Sequence, residues 1–248
     1  MIRNIATIIR REFVAYFLSP IAYVMLVVAL GFNGFVFTLI VDFLSRPDSP
    51  RIPALQMLFG GTVFFWLTVI FFVPVITMRL IAEERRSGTI ETLMTSPVTD
   101  AQVILGKFFA AWAFYLCLWA PTLAYVYLLS RYGSMDPGPI VGGYLGVALV
   151  GGMFIAIGLL SSTFTRNQIV AAILAFLFCA LLFGLGILDY LTMEAGGQGL
   201  LNYLNLWSHM EELSKGIVDT RRLVYYGSTT VFCLFLAVWS LEARRWRS

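Results

Sequence analysis

Six stretches of this chain, 18–41, 58–78, 108–129, 140–163, 169–188 and 223–241, contain no Asp, Glu, Lys, Arg or His. Each is long enough, at 1.5 Å per helical residue, to cross a hydrocarbon core about 30 Å thick. A soluble domain spreads about 25% charge along its length; here 12% of 248 residues are charged, 59% are hydrophobic, and the charges gather between the apolar stretches. In lipid only helices and closed barrels satisfy the backbone, and stretches of this length predict helices. The predicted fold is a single all-α membrane domain over residues 1–248 with six transmembrane helices.

The distribution of cations predicts sidedness. Arg3, Arg10, Arg11, Arg79, Arg85, Arg86, Lys107, Arg166, Arg244, Arg245 and Arg247 fall on one side of this arrangement. Arg46, Arg51, Arg131, Lys215, Arg221 and Arg222 fall on the other, a split of eleven to six. The positive-inside rule therefore places both termini in the cytoplasm. The first apolar stretch is too long for a signal peptide and lacks a small-residue cleavage pattern after it, so the start of the chain is expected to remain. Cys117, Cys179 and Cys233 all sit in apolar stretches, as small buried hydrophobes rather than a disulfide framework or metal site.

Residues 1–17 place Ile2, Ile5, Ile8, Ile9, Phe13 and Phe17 at helical spacing, with Arg3, Arg10, Arg11 and Glu12 off that face. This predicts an N-terminal amphipathic helix lying in the cytoplasmic membrane interface, the alternative being an unstructured basic tail. Residues 79–107 form a long cytoplasmic connection. Its charged start carries Glu83 and Arg86 one helical turn apart and ends at Gly88, a natural helix stop. A short segment, 89–95, follows before Ser96-Pro97, and then Thr99 and Gln102 have capping-box spacing for the third long helix. Residues 189–222 are rich in Leu, Tyr and Trp and predict an external, partly helical cap between the fifth and sixth helices. The single histidine, His209, is expected there in an exposed or interfacial position rather than as a metal ligand. In the fourth stretch Gly142 and Gly146 form a small-x-x-x-small step, with Gly152 further along, for close helix packing within the subunit or at a moving or intersubunit surface.

Several functions are disfavoured by what the stretches lack. Proton relays and ion sites use intramembrane ionisable residues, and catalysis needs acids, bases or metals near the substrate; none is predicted in a span. The one Gly-Lys pair, Gly106-Lys107, has Ala101 and Phe108 where a phosphate-binding loop requires Gly and Ser or Thr. No catalytic residue, metal site or bound cofactor is assigned to the chain. The net charge of +3 gives no indication of nucleic-acid binding.

MRLIAEERRSGTIETLMTSPVTDAQVILGKF, 78–108, resembles the loop between the second and third helices of ABC-2-type permeases. FLSPIAY at 17–23, STFTRNQIVAA at 162–172 and SHMEELSKGIVDTRRLVYY at 208–226 resemble the same family, in an order and spacing that cover nearly the whole chain and look closest to its gliding-motility-type branch. The resemblance implies pairing with a second permease subunit, identical or homologous, above two cytoplasmic ABC ATPase subunits that hold ATP and Mg, and it leaves room for a periplasmic auxiliary protein. It further implies that 89–95 is a coupling helix, so that Glu83, Glu84, Arg85, Gly88, Thr89, Glu91, Leu93 and Pro97 form the ATPase-coupling region.

The expected function is the permease subunit of an ATP-driven exporter in the bacterial inner membrane, surrounded by lipid. The alternatives are a non-transporting scaffold or mechanical signalling subunit driven by a partner ATPase, and a secondary carrier. The topology has a direct test: a cysteine at Gly197 should react with an impermeant thiol reagent in intact cells whose outer membrane has been permeabilised. Reaction only after lysis would overturn the six-span arrangement.

Overall fold

The computed structural model describes residues 2–50, 52–88, 99–132, 136–191 and 203–245, and every regular element among them is helical. A first helix, α1 (Ile2–Leu18), meets the second, α2 (Pro20–Leu44), at Ser19, whose extended backbone with Pro20 behind it starts the new helix in a different direction. A short helix, α3 (Ala54–Gly60), precedes α4 (Val63–Thr77), and α5 (Ala82–Ser87) follows α4 across a turn. Helix α6 (Asp100–Trp119) passes through a 3₁₀ turn at Ala120–Thr122 into α7 (Leu123–Ser130). Then come α8 (Pro137–Phe164), α9 (Gln168–Leu191), a short α10 (Leu206–Ser214) and α11 (Thr220–Arg245). Six segments have the length and apolarity to cross a membrane: Pro20–Leu44, Val63–Ser87, Asp100–Ser130, Pro137–Phe164, Gln168–Gly186 and Thr220–Ala243.

The structure moves one predicted boundary. The stretch 58–78 is not one helix from its start: Leu58, Phe59 and Gly60 end α3, and the chain breaks at Gly61 and the extended Thr62 before α4 begins. Apolarity alone does not distinguish a short helix followed by a spanning helix from one long helix. The capping-box spacing of Thr99 and Gln102 does yield the two reciprocal bonds expected of it at the start of α6.

Helix α8 lies at the centre, and its glycines let its neighbours approach. A Cβ added at Gly142 would lie 2.1 Å from the Leu213 carbonyl oxygen of α10, and one at Gly143 would lie 2.7 Å from the Phe59 ring of α3. Further along, Gly151 faces the Tyr115 ring of α6 and Gly158 faces Thr77 of α4, with added Cβ atoms 2.0 and 2.2 Å from them. Gly146 takes the Met210 sulfur, and Gly152 lies beside the Trp112 indole, whose Nε1 donates to the Ala148 carbonyl at 2.9 Å. The neighbour of Gly142 and Gly146 is thus the short helix α10 rather than another span.

His209 of α10, expected in an exposed or interfacial position, is not exposed but fully buried. Its Nε2 lies 2.6 Å from Arg222 Nη1 at the start of α11, and Glu212 accepts two bonds from the same guanidinium at 3.2 Å. Burial, with the Arg222 charge beside it, pushes the imidazole down to about 4, so the ring is neutral and accepts from Arg222. His209 shares the buried flank of α10 with Leu206, Met210 and Leu213, which recur at helical spacing, and its ring meets Tyr225 and Tyr226 of α11.

Substitution at Gly142 tests the glycine contact. Alanine favours a helix interior by about 1 kcal/mol over glycine, whereas overpacking costs about 1–3 kcal/mol. Gly142→Ala should therefore lower the thermal midpoint in detergent, because the atom it strikes is backbone. Gly31→Ala, with nothing within 4 Å of the added methyl group, should leave the midpoint unchanged or raise it.

Candidate functional site

The end of the molecule that carries α1 also holds a set of charged groups that reach into the helix bundle. Helix α1 packs along α6: Ile8 lies over Gly106, where an added Cβ would come within 2.5 Å of its methyl group. Tyr16 stacks on Phe114 with ring centroids 4.7 Å apart, and Phe17 meets the edge of the same ring at 5.6 Å. The apolar stripe read from the sequence is therefore spent at least in part on α6. The Tyr16 hydroxyl donates to the Ile76 carbonyl at 2.9 Å, and Arg79 lies over the Tyr16 ring at 4.8 Å while donating to Ser19 Oγ at 3.1 Å. Burial pushes the Tyr16 phenol well above its usual range, which keeps it a donor.

Lys107 is the centre of this set. It is 2% exposed, and its ammonium lies 2.8 Å from Glu84 of α5 and 3.3 Å from Glu12 of α1. Arg11 holds the same Glu12 oxygen at 2.8 Å. A lysine so deeply buried is stable only with compensating charge, and two carboxylates from two other elements supply it. Burial raises the Glu12 carboxyl, but the Lys107 and Arg11 charges outweigh it and hold the group below its ordinary value. A cavity of about 210 Å³ opens beside these groups, between Tyr16, Arg79, Glu83 and Glu84.

A second set of bonds joins α5 to α8. Between Met78 and Ile81 the chain turns before α5 begins. Ser162 Oγ accepts from the backbone N–H groups of Ile81 and Ala82, at 3.1 and 3.0 Å, and donates to the Met78 carbonyl at 3.3 Å. Buried backbone groups without a partner are costly, so one hydroxyl from α8 stabilises the turn. The Arg85 guanidinium donates to the Thr163 carbonyl at the end of α8. Helix α5 then stops at Gly88, whose φ of 73° is left-handed backbone that glycine adopts without steric cost.

Of the coupling residues named from sequence, Glu84 and Arg85 join this set, Glu83 lines the adjoining cavity and is exposed, and Gly88 ends α5. Thr89, Glu91, Leu93 and Pro97 lie outside the described residues. Sequence reasoning missed Glu12, Lys107 and Ser162 as members. The helical pattern places Glu12 off the packed face, and Lys107 enters the sequence reading only through sidedness and the rejected phosphate-binding loop; both turn inward. The available signal was that Glu12 is the sole acid in 1–17 and Lys107 the sole cation between Arg86 and Arg131.

The family model for ABC-2 family transporter proteins matches residues 44–210, well over half of the chain and most of the elements that build this site. No curated protein matches the chain.

The Lys107 arrangement sets a pH dependence. With α1 undocked, Glu12 titrates near its ordinary value of 4.5; docked, it titrates lower. The contribution of its charge to docking is therefore fully present above 4.5 and lost as pH falls through the lower docked value. Protection factors of the amides in 2–18, taken relative to the intrinsic exchange rate at each pH, should fall on acidification through that window, and Glu12→Gln should remove this dependence. At neutral pH Lys107→Met should raise exchange there at least about tenfold, the equivalent of about 1.4 kcal/mol. That is less than the ~3–5 kcal/mol of breaking a wholly buried pair, because both glutamates keep some solvent. Unchanged exchange in Lys107→Met would show that the ion pairs do not hold α1.

Proposed function

The chain belongs to the ABC-2 family of transporter proteins, and from that membership we propose that it is the permease subunit of an ATP-driven exporter in a bacterial inner membrane. Both termini lie in the cytoplasm, and the chain pairs with a second permease subunit above two ATPase subunits. The partners bind ATP with Mg and hydrolyse it, since this chain has no phosphate-binding loop of its own. Placement in the gliding-motility-type branch rests on the four sequence segments alone. In this reading α1 lies at the cytoplasmic membrane surface, 89–95 is the coupling helix, and 189–222 with α10 at its core caps the external side.

The observation that carries the proposal is the joining of four elements around α5. Helix α5 leads directly into 89–95 and continues α4 across the turn. It is bound to α6 and α1 through Lys107 and to α8 through Ser162 and Thr163. A displacement applied to the segment after Gly88 is delivered to several helices together, as transmission from a soluble motor requires. Coupling of this kind is the work of a permease driven from below.

The test is the double substitution Glu91→Ala with Leu93→Ala in the intact complex. An interface anchor contributes ~2 kcal/mol or more when truncated, so ATP-dependent substrate movement into vesicles should fall and substrate should no longer stimulate ATPase activity, with the permease still inserted. Asp48→Ala, on an exposed connection, should behave as wild type. Wild-type coupling in the double variant would remove the coupling helix from 89–95. Nucleotide-driven movement of the complex without substrate transfer in wild type would favour the mechanical subunit.

A further inference from the structure

At the end of the molecule opposite α1, a cavity of about 740 Å³ lies between α3, α10 and the end of α9. Its position along the spans is defined by two of its lining residues. Gly186 lies three residues before Asp189, the first charge after the fifth apolar stretch, and Gly61 lies just before Val63, the first residue of the second candidate span. The cavity thus straddles the level at which the spans leave the hydrocarbon. Ile52, Met57 and the Trp207 indole give it apolar walls, and Gln56, Glu211, Ser214 and Lys215 are its polar members. Glu211 and Lys215 form an ion pair at 2.6 Å with each side chain 44% exposed, so opposite charges stand side by side at the solvent edge.

We propose that this cavity holds one acyl chain of a zwitterionic phospholipid from the adjoining leaflet, with the headgroup at the Glu211–Lys215 pair. The volume lies within the range of about 300–1,000 Å³ typical of small-molecule sites, which are likewise apolar with a few placed polar groups. Apolar walls at this depth adjoin hydrocarbon, and hydrocarbon covers them at less cost than water does. An exposed ion pair contributes little by itself, so it opens readily: Lys215 then meets the phosphate and Glu211 the headgroup cation. The inference needs the membrane fold but not ATP-driven export, so either stands if the other fails.

Trp207 makes the site observable. The protein in maltoside micelles is titrated with a phosphatidylcholine brominated on one acyl chain, and indole quenching is recorded for wild type and Trp207→Phe. The difference between them isolates the cavity, and it should saturate. Ile52→Trp introduces bulk at a residue 41% exposed, and should weaken the saturable component at least tenfold; Gln56→Trp serves the same purpose if that variant does not purify as a single species. A diacylglycerol carrying the same brominated chain should bind at least several-fold more weakly, as should the phospholipid with Lys215→Glu. Quenching that rises without saturation, or that is unaffected by filling the cavity, would overturn the site. Equal binding of phospholipid and diacylglycerol would overturn the headgroup assignment.

Discussion

In a membrane the lipid tails are as apolar as a leucine side chain, so helices associate through close contact and polar bonds rather than by escaping water. Among the described residues most of the close approaches at glycine are made on α8. Its glycines receive a backbone carbonyl from α10, aromatic rings from α3 and α6, and a threonine from α4. Elements from both ends of the bundle are thereby referred to one helix. A side chain at Gly142 or Gly158 would push outward whatever it met, and the polar bonds made beyond those contacts would lose their alignment.

Those bonds show how the packing leads to the site. Ser162 lies one helical turn beyond Gly158, and the close approach at Thr77 brings the turn after α4 within reach of its hydroxyl. With the turn held there, Glu84 points at Lys107 and Arg85 at the end of α8. Helix α1 completes the arrangement with Glu12 and by stacking Tyr16 on Phe114. Each contact depends on the one before it, and a movement of α5 alone would leave Lys107 with one carboxylate fewer in a buried place.

The spans were legible because lack of charge over about twenty residues leaves few other structures open in lipid. The caps at Thr99 and Gly88 were legible because capping is local chemistry. The break at Gly61 and Thr62 was not, since an apolar stretch reads alike on either side of it. The burial of Glu12, Lys107 and His209 was not legible either: each depends on a partner 13 to 95 residues away in the chain, and a single charge in an amphipathic pattern does not reveal which way it faces. Ser162 could be seen only as part of a familiar segment, because what it stabilises is a turn in another helix.

If the chain transmits ATPase movement as proposed, α1, α5 and the start of α6 move as one body when the partner subunits close on ATP. Spin labels at Ala6 and Ser87, both exposed, report on it directly by pulsed electron resonance in the intact complex. A single body gives one narrow distance distribution, the same without nucleotide and with ATP trapped, and a broadened one in Lys107→Met. A Ala6–Ser87 distance that shifts with nucleotide in the wild-type complex would contradict it, because α5 would then be moving independently of the helix to which Lys107 is meant to bind it.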